Sequence, residues 1–462
     1  MRGGFTRRLR SMKHNGSFMA YMTPINGLIV LSFLIGLTVS FKLGLSILVI
    51  ASFAFSIGNL LSDRLLIFLS ILICVDPITR VYIIESAFVR YNSFNYILLS
   101  IIIIFMLYRK VKVKPISAYM WLLLWMGIGI SFSSNAELGL LNLLNYLNFL
   151  AFYLVFSDVY SRPNPERVIQ NALQSGLIVA LSFSILFFVV FGLNFFSLQL
   201  YRMEDLQYIN PNSFSYLPLV GLIFSFLLKQ NFGESRKVHI AVQVVLLFLI
   251  AISGSRGSLL IGFAMLFFTV TGRISIKLFV TTSVILILFL QVNSLLLKNS
   301  EVFALQRLAQ FFDTDIELED ASSGRTEIAK VGYEIFLDHP LIGAGTGSFR
   351  DEFVKATREG SRGGGVFLEK RGGMKIAAHS TYVKVLAENG IIGFFLLMTF
   401  ILSIYTNRSN YKLNLISAVV IALAFLSTEF GAKGPWFIAA LSVAGSSHYI
   451  WQTKHLKESK LP

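Results

Sequence analysis

The chain has 462 residues, 55% of them hydrophobic and only 14% charged, against about 25% charged in soluble domains. Its single cysteine, Cys74, excludes an intrachain disulfide and a cysteine-built zinc site. The net charge of +15 would suit nucleic acid, but in a chain of recurring apolar runs the basic residues belong to cytoplasmic loops, and no nucleic-acid partner is expected.

The apolar runs are long enough to cross a bilayer and do not alternate as barrel strands do, so the predicted fold is an all-α polytopic membrane protein. A basic N-terminal segment, residues 1–19, carries Arg2, Arg7, Arg8, Arg10 and Lys13. Arg7-Arg8 is not followed by a cleavage site of small residues, so an uncleaved first span with a cytoplasmic N-terminus is expected. Eleven spans are predicted within 20–297, near 20–38, 43–61, 65–82, 94–108, 116–134, 138–157, 170–192, 213–229, 237–253, 257–271 and 275–297. The third is interrupted by Asp76-Pro77, tolerable only where protein or water covers the site. Residues 298–389 form a charged island, three more spans follow within 390–451 (near 390–406, 412–428 and 434–451), and 452–462 is a basic tail. The count is about 14 spans, with 12 to 14 allowed.

Charge orients this topology. With the N-terminus inside, 22 of the 40 basic residues fall in or beside cytoplasmic segments, six (Lys42, Arg80, Arg90, Arg202, Arg256, Lys433) in or near short outer ones, and twelve in the island. Both termini are therefore expected in the cytoplasm and the island outside it. Within the island, Val302, Phe303, Leu305, Leu308 and Phe311 recur at helical spacing, and 324–339 reads as a second helix. Glycines at 343–347 turn the chain, and 355–375, with Gly363-Gly364-Gly365 and Gly372-Gly373, is expected to be mobile.

Proton-transfer chemistry points to His379, in Ala378-His379-Ser380-Thr381-Tyr382, just before a helix that Ser380 or Thr381 can cap. A helix N-terminus disfavours extra positive charge, which keeps an imidazole neutral and able to accept a proton. The bland alternative is a surface histidine packed on Tyr382. Arg202, Arg256 and Arg325, each in a polar or glycine- and serine-rich outer segment, face the same compartment. One such arginine could simply snorkel to lipid phosphates; three together suggest a clamp on a diphosphate, whose oxygens match guanidinium forks. Tyr382 and Glu388 are weaker supporting candidates. Asp313-Thr314-Asp315 opens an acidic run that reads as a solvated face, and His14, His239, His339 and His448 show no metal-ligand spacing, so no metal site and no cofactor are expected.

These pieces together resemble the O-antigen ligase and Wzy-type O-antigen polymerase superfamily. The matching residues are Ser255-Arg256-Gly257, Gly324-Arg325, the run His339-Pro340-Leu341-Ile342-Gly343-Ala344-Gly345-Thr346-Gly347-Ser348-Phe349, and His379-Ser380-Thr381-Tyr382 with Leu386-Ala387-Glu388-Asn389-Gly390-Ile391-Ile392-Gly393. Arg202 followed by Asn210-Pro211-Asn212 resembles the family's preceding outer loop. The resemblance covers roughly residues 200–395 and implies a GT-C-like, inverting, metal-independent glycosyltransferase of the bacterial inner membrane. It implies an undecaprenyl-diphosphate-linked glycan as donor, and a second lipid-linked glycan (polymerase) or a lipid A-core sugar (ligase) as acceptor. Membrane lipids, and for a polymerase a chain-length regulator protein, are the implied partners. The basic, glycine-rich segment 355–375 departs from some members. A flippase or other transporter is the rival class; it would carry its charges at midplane within spans, whereas here they gather at one face.

Overall fold

The computed structural model describes residues 24–38, 47–48, 63–82, 99–103, 117–191, 211–253, 255–271, 281, 325–358, 378, 380–406 and 434–445. Among the described residues there are helices and connecting turns and no strand. The helices are α1 (Pro24–Thr38), α2 (Asp63–Tyr82), α3 (Ser117–Ile130), α4 (Ala136–Tyr160), α5 (Pro165–Phe191), α6 (Pro211–Phe232), α7 (Arg236–Ser253), α8 (Arg256–Thr271), α9 (Arg325–Asp338), α10 (Phe349–Arg358), α11 (Thr381–Thr406) and α12 (Gly434–Gly445). Ala136–Tyr160, Pro165–Val189 and Thr381–Ile404 are long and apolar enough to cross a membrane. The expected spans near 43–61, 94–108, 275–297 and 412–428 lie wholly or mostly outside the described residues, as does the island helix around 302–311.

Local chemistry sets the helix starts. The Asn135 side chain accepts from the Leu138 N–H at 3.0 Å and caps α4, with Glu137 in the first turn against the positive end of the helix. Pro165 and Pro211 open α5 and α6, where a missing N–H costs nothing. α2 continues through Asp76-Pro77, so the expected interruption does not end that helix.

α2, α5, α6, α7 and α8 pack as one layered group, and α3 packs along α11. Small residues let backbones approach: a Cβ added at Gly221 of α6 would come within 2.6 Å of the Ala180 Cβ of α5. A buried aromatic knot joins α3, α4, α11 and α12. The Trp436 ring lies 6.5 Å from Tyr119, 5.9 Å from Tyr146, 6.3 Å from Phe149 and 6.1 Å from Phe400. At the other end of α12, a Cβ on Gly445 would meet the Tyr160 hydroxyl at 2.7 Å. α12 therefore runs in the same direction as α4.

Candidate active site

The glycine-rich turn after α9 is bonded into a break in α11. Gly390 has φ 64° and ψ −165°, outside the helical region, and divides α11 into 381–389 and 391–406. In an unbroken helix the Ile391 and Ile392 amides would bond to the carbonyls of Ala387 and Glu388. Here they donate instead to the carbonyls of Pro340 and Leu341, at 2.9 and 3.4 Å, while the amides of Ala344 and Gly345 donate to the carbonyls of Ala387 and Glu388, both at 2.9 Å. The Trp125 Nε1–H of α3 donates to the Asn389 carbonyl at 3.0 Å. The exchange matters because an unsatisfied backbone group in hydrocarbon costs several kcal/mol, about the value of the bond it lost.

Three positive-φ glycines fit the turn into place. Cβ atoms at Gly343, Gly345 and Gly347 would come within 2.3 Å of the Asn389 nitrogen, 2.6 Å of the Ser133 Cα and 2.3 Å of the Gly139 nitrogen. Thr346 is wholly buried; its amide donates to the Gly129 carbonyl at 3.1 Å, and its hydroxyl lies 2.8 Å from Asn389 Oδ1 and 2.9 Å from the Met126 carbonyl. The turn thus touches α3, α4 and α11 at once.

Glu388 sits at this junction. Its buried carboxylate accepts from the Phe349 N–H, the first residue of α10, at 3.2 Å, so a charge that would be costly in hydrocarbon faces a helix N-terminus. Asn135 Nδ2 donates to Asp351 Oδ2 at 3.1 Å and ties α10 to the cap of α4. α10 was not anticipated from sequence, although Ser348-x-x-Asp351 before Phe353 has the form of a helix start.

α9, α10 and the first part of α11 share a small core of Ile328, Val331, Ile335, Phe349, Phe353, Ala378 and Ala387. Gly332 permits the approach: a Cβ there would meet Val383 Cγ1 at 2.4 Å. Gly332 faces residue 383 while the residues just after α9 bond to 391 and 392, so α9 and 381–389 run in the same direction. Arg325, the first residue of α9 and partly buried, therefore shares an end with Ala378, Ser380 and the start of α11. His379, between those two residues, lies outside the described residues, as do Arg202, Asp313 and Asp315. The Lys384 amide donates to the Ser380 carbonyl at 3.0 Å, as at a helix start. Tyr382 is partly buried, its ring 6.4 Å from that of Phe394.

Arg256 opens α8 in a second group; its side chain lies outside what is described. Beside it, Ser258 Oγ is 2.8 Å from Ser215 Oγ in the first turns of α6 and 3.2 Å from Ser255 Oγ. Next to Ser215, the Tyr216 hydroxyl accepts from the Gly434 N–H at 2.5 Å, at the start of α12. Trp436 then packs on Phe400, which lies about 13 Å of helix beyond Ile391, the first residue after the break. The starts of α6, α8 and α12 are therefore linked to one another at a level farther along the bundle than the glycine turn. The described residues associate Arg325 with the start of α11, and Arg256 with this deeper group.

Sequence reading also missed Lys384. It is buried, and its Nζ donates to Asn142 Oδ1 of α4 at 3.1 Å. The signal was the spacing of Asn142, Asn145 and Asn148 on one apolar span. A further constellation involves His239, for which the sequence showed no metal-ligand spacing. Its Nε2 is 2.9 Å from Glu234 Oε2 and its Nδ1 is 2.9 Å from Ser225 Oγ. The arrangement resembles a serine–histidine–carboxylate triad, but Ser225 is wholly buried in α6, so no substrate reaches it and the group serves as an interhelical clamp. Burial would raise the Glu234 pKa, but hydrogen bonds from His239, Gln170 and Gln174 outweigh it and hold the carboxyl below its ordinary value.

Residues 241–398 match the family model described as O-antigen ligase. The match runs from within α7 to within α11, taking in Arg256, Arg325, the glycine turn, His379 and the Gly390 break. No curated protein matches the chain.

Proposed function

We propose, from this O-antigen ligase family domain at residues 241–398, that the chain is a membrane glycosyltransferase acting on lipid-diphosphate-linked glycans at the outer face of the bacterial inner membrane. Of the two activities in the family, we favour the polymerase, which joins one undecaprenyl-diphosphate-linked repeat unit to another; the ligase, with a lipid A-core acceptor, is the second reading. The observation that carries the proposal is that the matched region contains His379, Arg256 and Arg325 together with the glycine turn that is bonded into α11.

In this reading the acceptor hydroxyl attacks the anomeric carbon from the face opposite the leaving group. The new C–O bond forms as the bond to the diphosphate breaks, and the configuration inverts. His379 takes the hydroxyl proton, a contribution of about 10²–10⁴ in rate. The electron pair leaves with the undecaprenyl diphosphate, whose growing charge is met by Arg202, Arg256 and Arg325; each preorganised donor contributes about 10²–10³. Tyr382 orients the imidazole or stacks on a sugar. Glu388 acts at a distance, by holding α10 and the turn in place.

His379→Ala and Arg256→Ala should each abolish long-chain polysaccharide in cells while the protein still inserts. Wild-type chain-length ladders from either variant at wild-type protein levels would overturn the assignment. With purified components, growth of the lipid-linked glycan identifies a polymerase, and transfer only to a lipid A-core acceptor identifies a ligase.

A further inference from the structure

α9 and the turn after it carry an apolar stripe that faces away from the protein. Tyr333, Leu337, Leu341 and Ile342 are 53%, 51%, 64% and 46% exposed. Tyr333 and Leu337 are one helical turn apart, opposite the face of Ile328, Val331 and Ile335 that packs on α11. Lys330, also exposed, lies on the same side one turn earlier.

We infer that this stripe is immersed in the acyl chains of the bilayer, so that α9 is an interfacial helix. The occupant follows from continuity. The Pro340 and Leu341 carbonyls accept from Ile391 and Ile392, which sets the turn at the height of the first residues of the 391–406 helix. The exposed side of that helix, Ile392, Phe395 and Leu402, belongs to a segment apolar enough to span a membrane. Leu341 and Ile342 therefore extend an apolar surface that already faces lipid, and the exposed Ile128 and Phe132 at the end of α3 border the same turn. The Gly390 break sets 381–389, with α9 packed on it, out of line with 391–406. α9 thus does not simply continue the span outward, and its free side turns to the bilayer. The order fits oblique entry: Leu341 and Leu337 are deepest, Tyr333 sits at the interface, Lys330 and Arg325 lie at headgroup level, and the exposed Asp338 stands about 100° round the helix from Leu337, off the stripe. The inference concerns lipid and does not depend on the proposed reaction.

The test uses full-length protein in phosphatidylethanolamine–phosphatidylglycerol liposomes. Leu337→Cys, Leu341→Cys, Phe395→Cys and Lys355→Cys, each in a Cys74→Ala background, carry a nitroxide. Power saturation then compares access to oxygen, which partitions into lipid, and to a water-soluble nickel chelate. Labels at 337 and 341 should group with the lipid reference at 395, favouring oxygen, while 355, an exposed position of α10, favours nickel. Grouping of 337 and 341 with 355 would overturn the inference. So would shielding from both reagents with spin–spin broadening, which would indicate a second copy of the chain on this face.

Discussion

Gly390 concentrates the demands of the fold in one residue. Its φ of 64° is one that L side chains rarely adopt, and a Cβ there would lie 2.4 Å from the Leu341 carbonyl oxygen. Gly343 is equally confined, whereas Gly233, at φ 68°, has open space around it. Alanine at Gly233 should cost only the left-handed backbone, about 1–2 kcal/mol. Alanine at Gly343 or Gly390 adds a backbone clash and should lower the thermal midpoint of the full chain in detergent clearly further. Equal midpoints for the Gly233 and Gly343 variants would argue against the bonded turn. Thr346→Val keeps the shape but removes the hydroxyl proton that meets Asn389 or Met126, and should cost about 1–3 kcal/mol in the same measurement.

At the scale of elements, two polar devices hold helices together. Glu388 joins α11 to the N-terminus of α10. Glu388→Gln keeps an acceptor there and should leave α10 protected, whereas Glu388→Ala should speed tryptic cleavage at Lys355 and Arg358; indistinguishable rates would show that the contact carries nothing. Glu234 joins α5, α6 and α7 through Gln170, Gln174 and His239, which with Ser225 form the clamp. Its depressed pKa means that the clamp stabilises the fold above the carboxyl's unfolded pKa, and that this share is lost as pH falls through the lower folded value. Glu234→Gln should therefore flatten the acid limb of the midpoint-versus-pH curve, while a wild-type acid limb would contradict the assignment. These elements were legible in sequence to different degrees. Hydropathy located the described apolar helices to within a few residues, and the 324–339 periodicity yielded α9. Helicity through Asp76-Pro77 was not legible, because the local propensity of proline opposes it.

For the whole molecule, the charge pattern of the sequence led to the expectation that the candidate site residues share one face, but not to how the chain arranges them. The bonded turn depends on positive-φ glycines meeting a helix break far along the chain, and hydrophobic period does not encode such pairing. The deeper level of the α6, α8 and α12 starts comes from Trp436 packing on Phe400, which no motif announces. If the arginines act as planar forks on a diphosphate, Arg325→Lys should fail although it keeps the charge; full glycan transfer by that variant would remove bidentate recognition from the account. The most direct test of the central claim is glycan transfer by the purified chain in liposomes, given lipid-diphosphate-linked repeat units in EDTA. The account predicts a longer or transferred glycan with release of the lipid diphosphate, and none of either from His379→Ala. Intact donor with the wild-type chain, or the same product from both proteins, would contradict it.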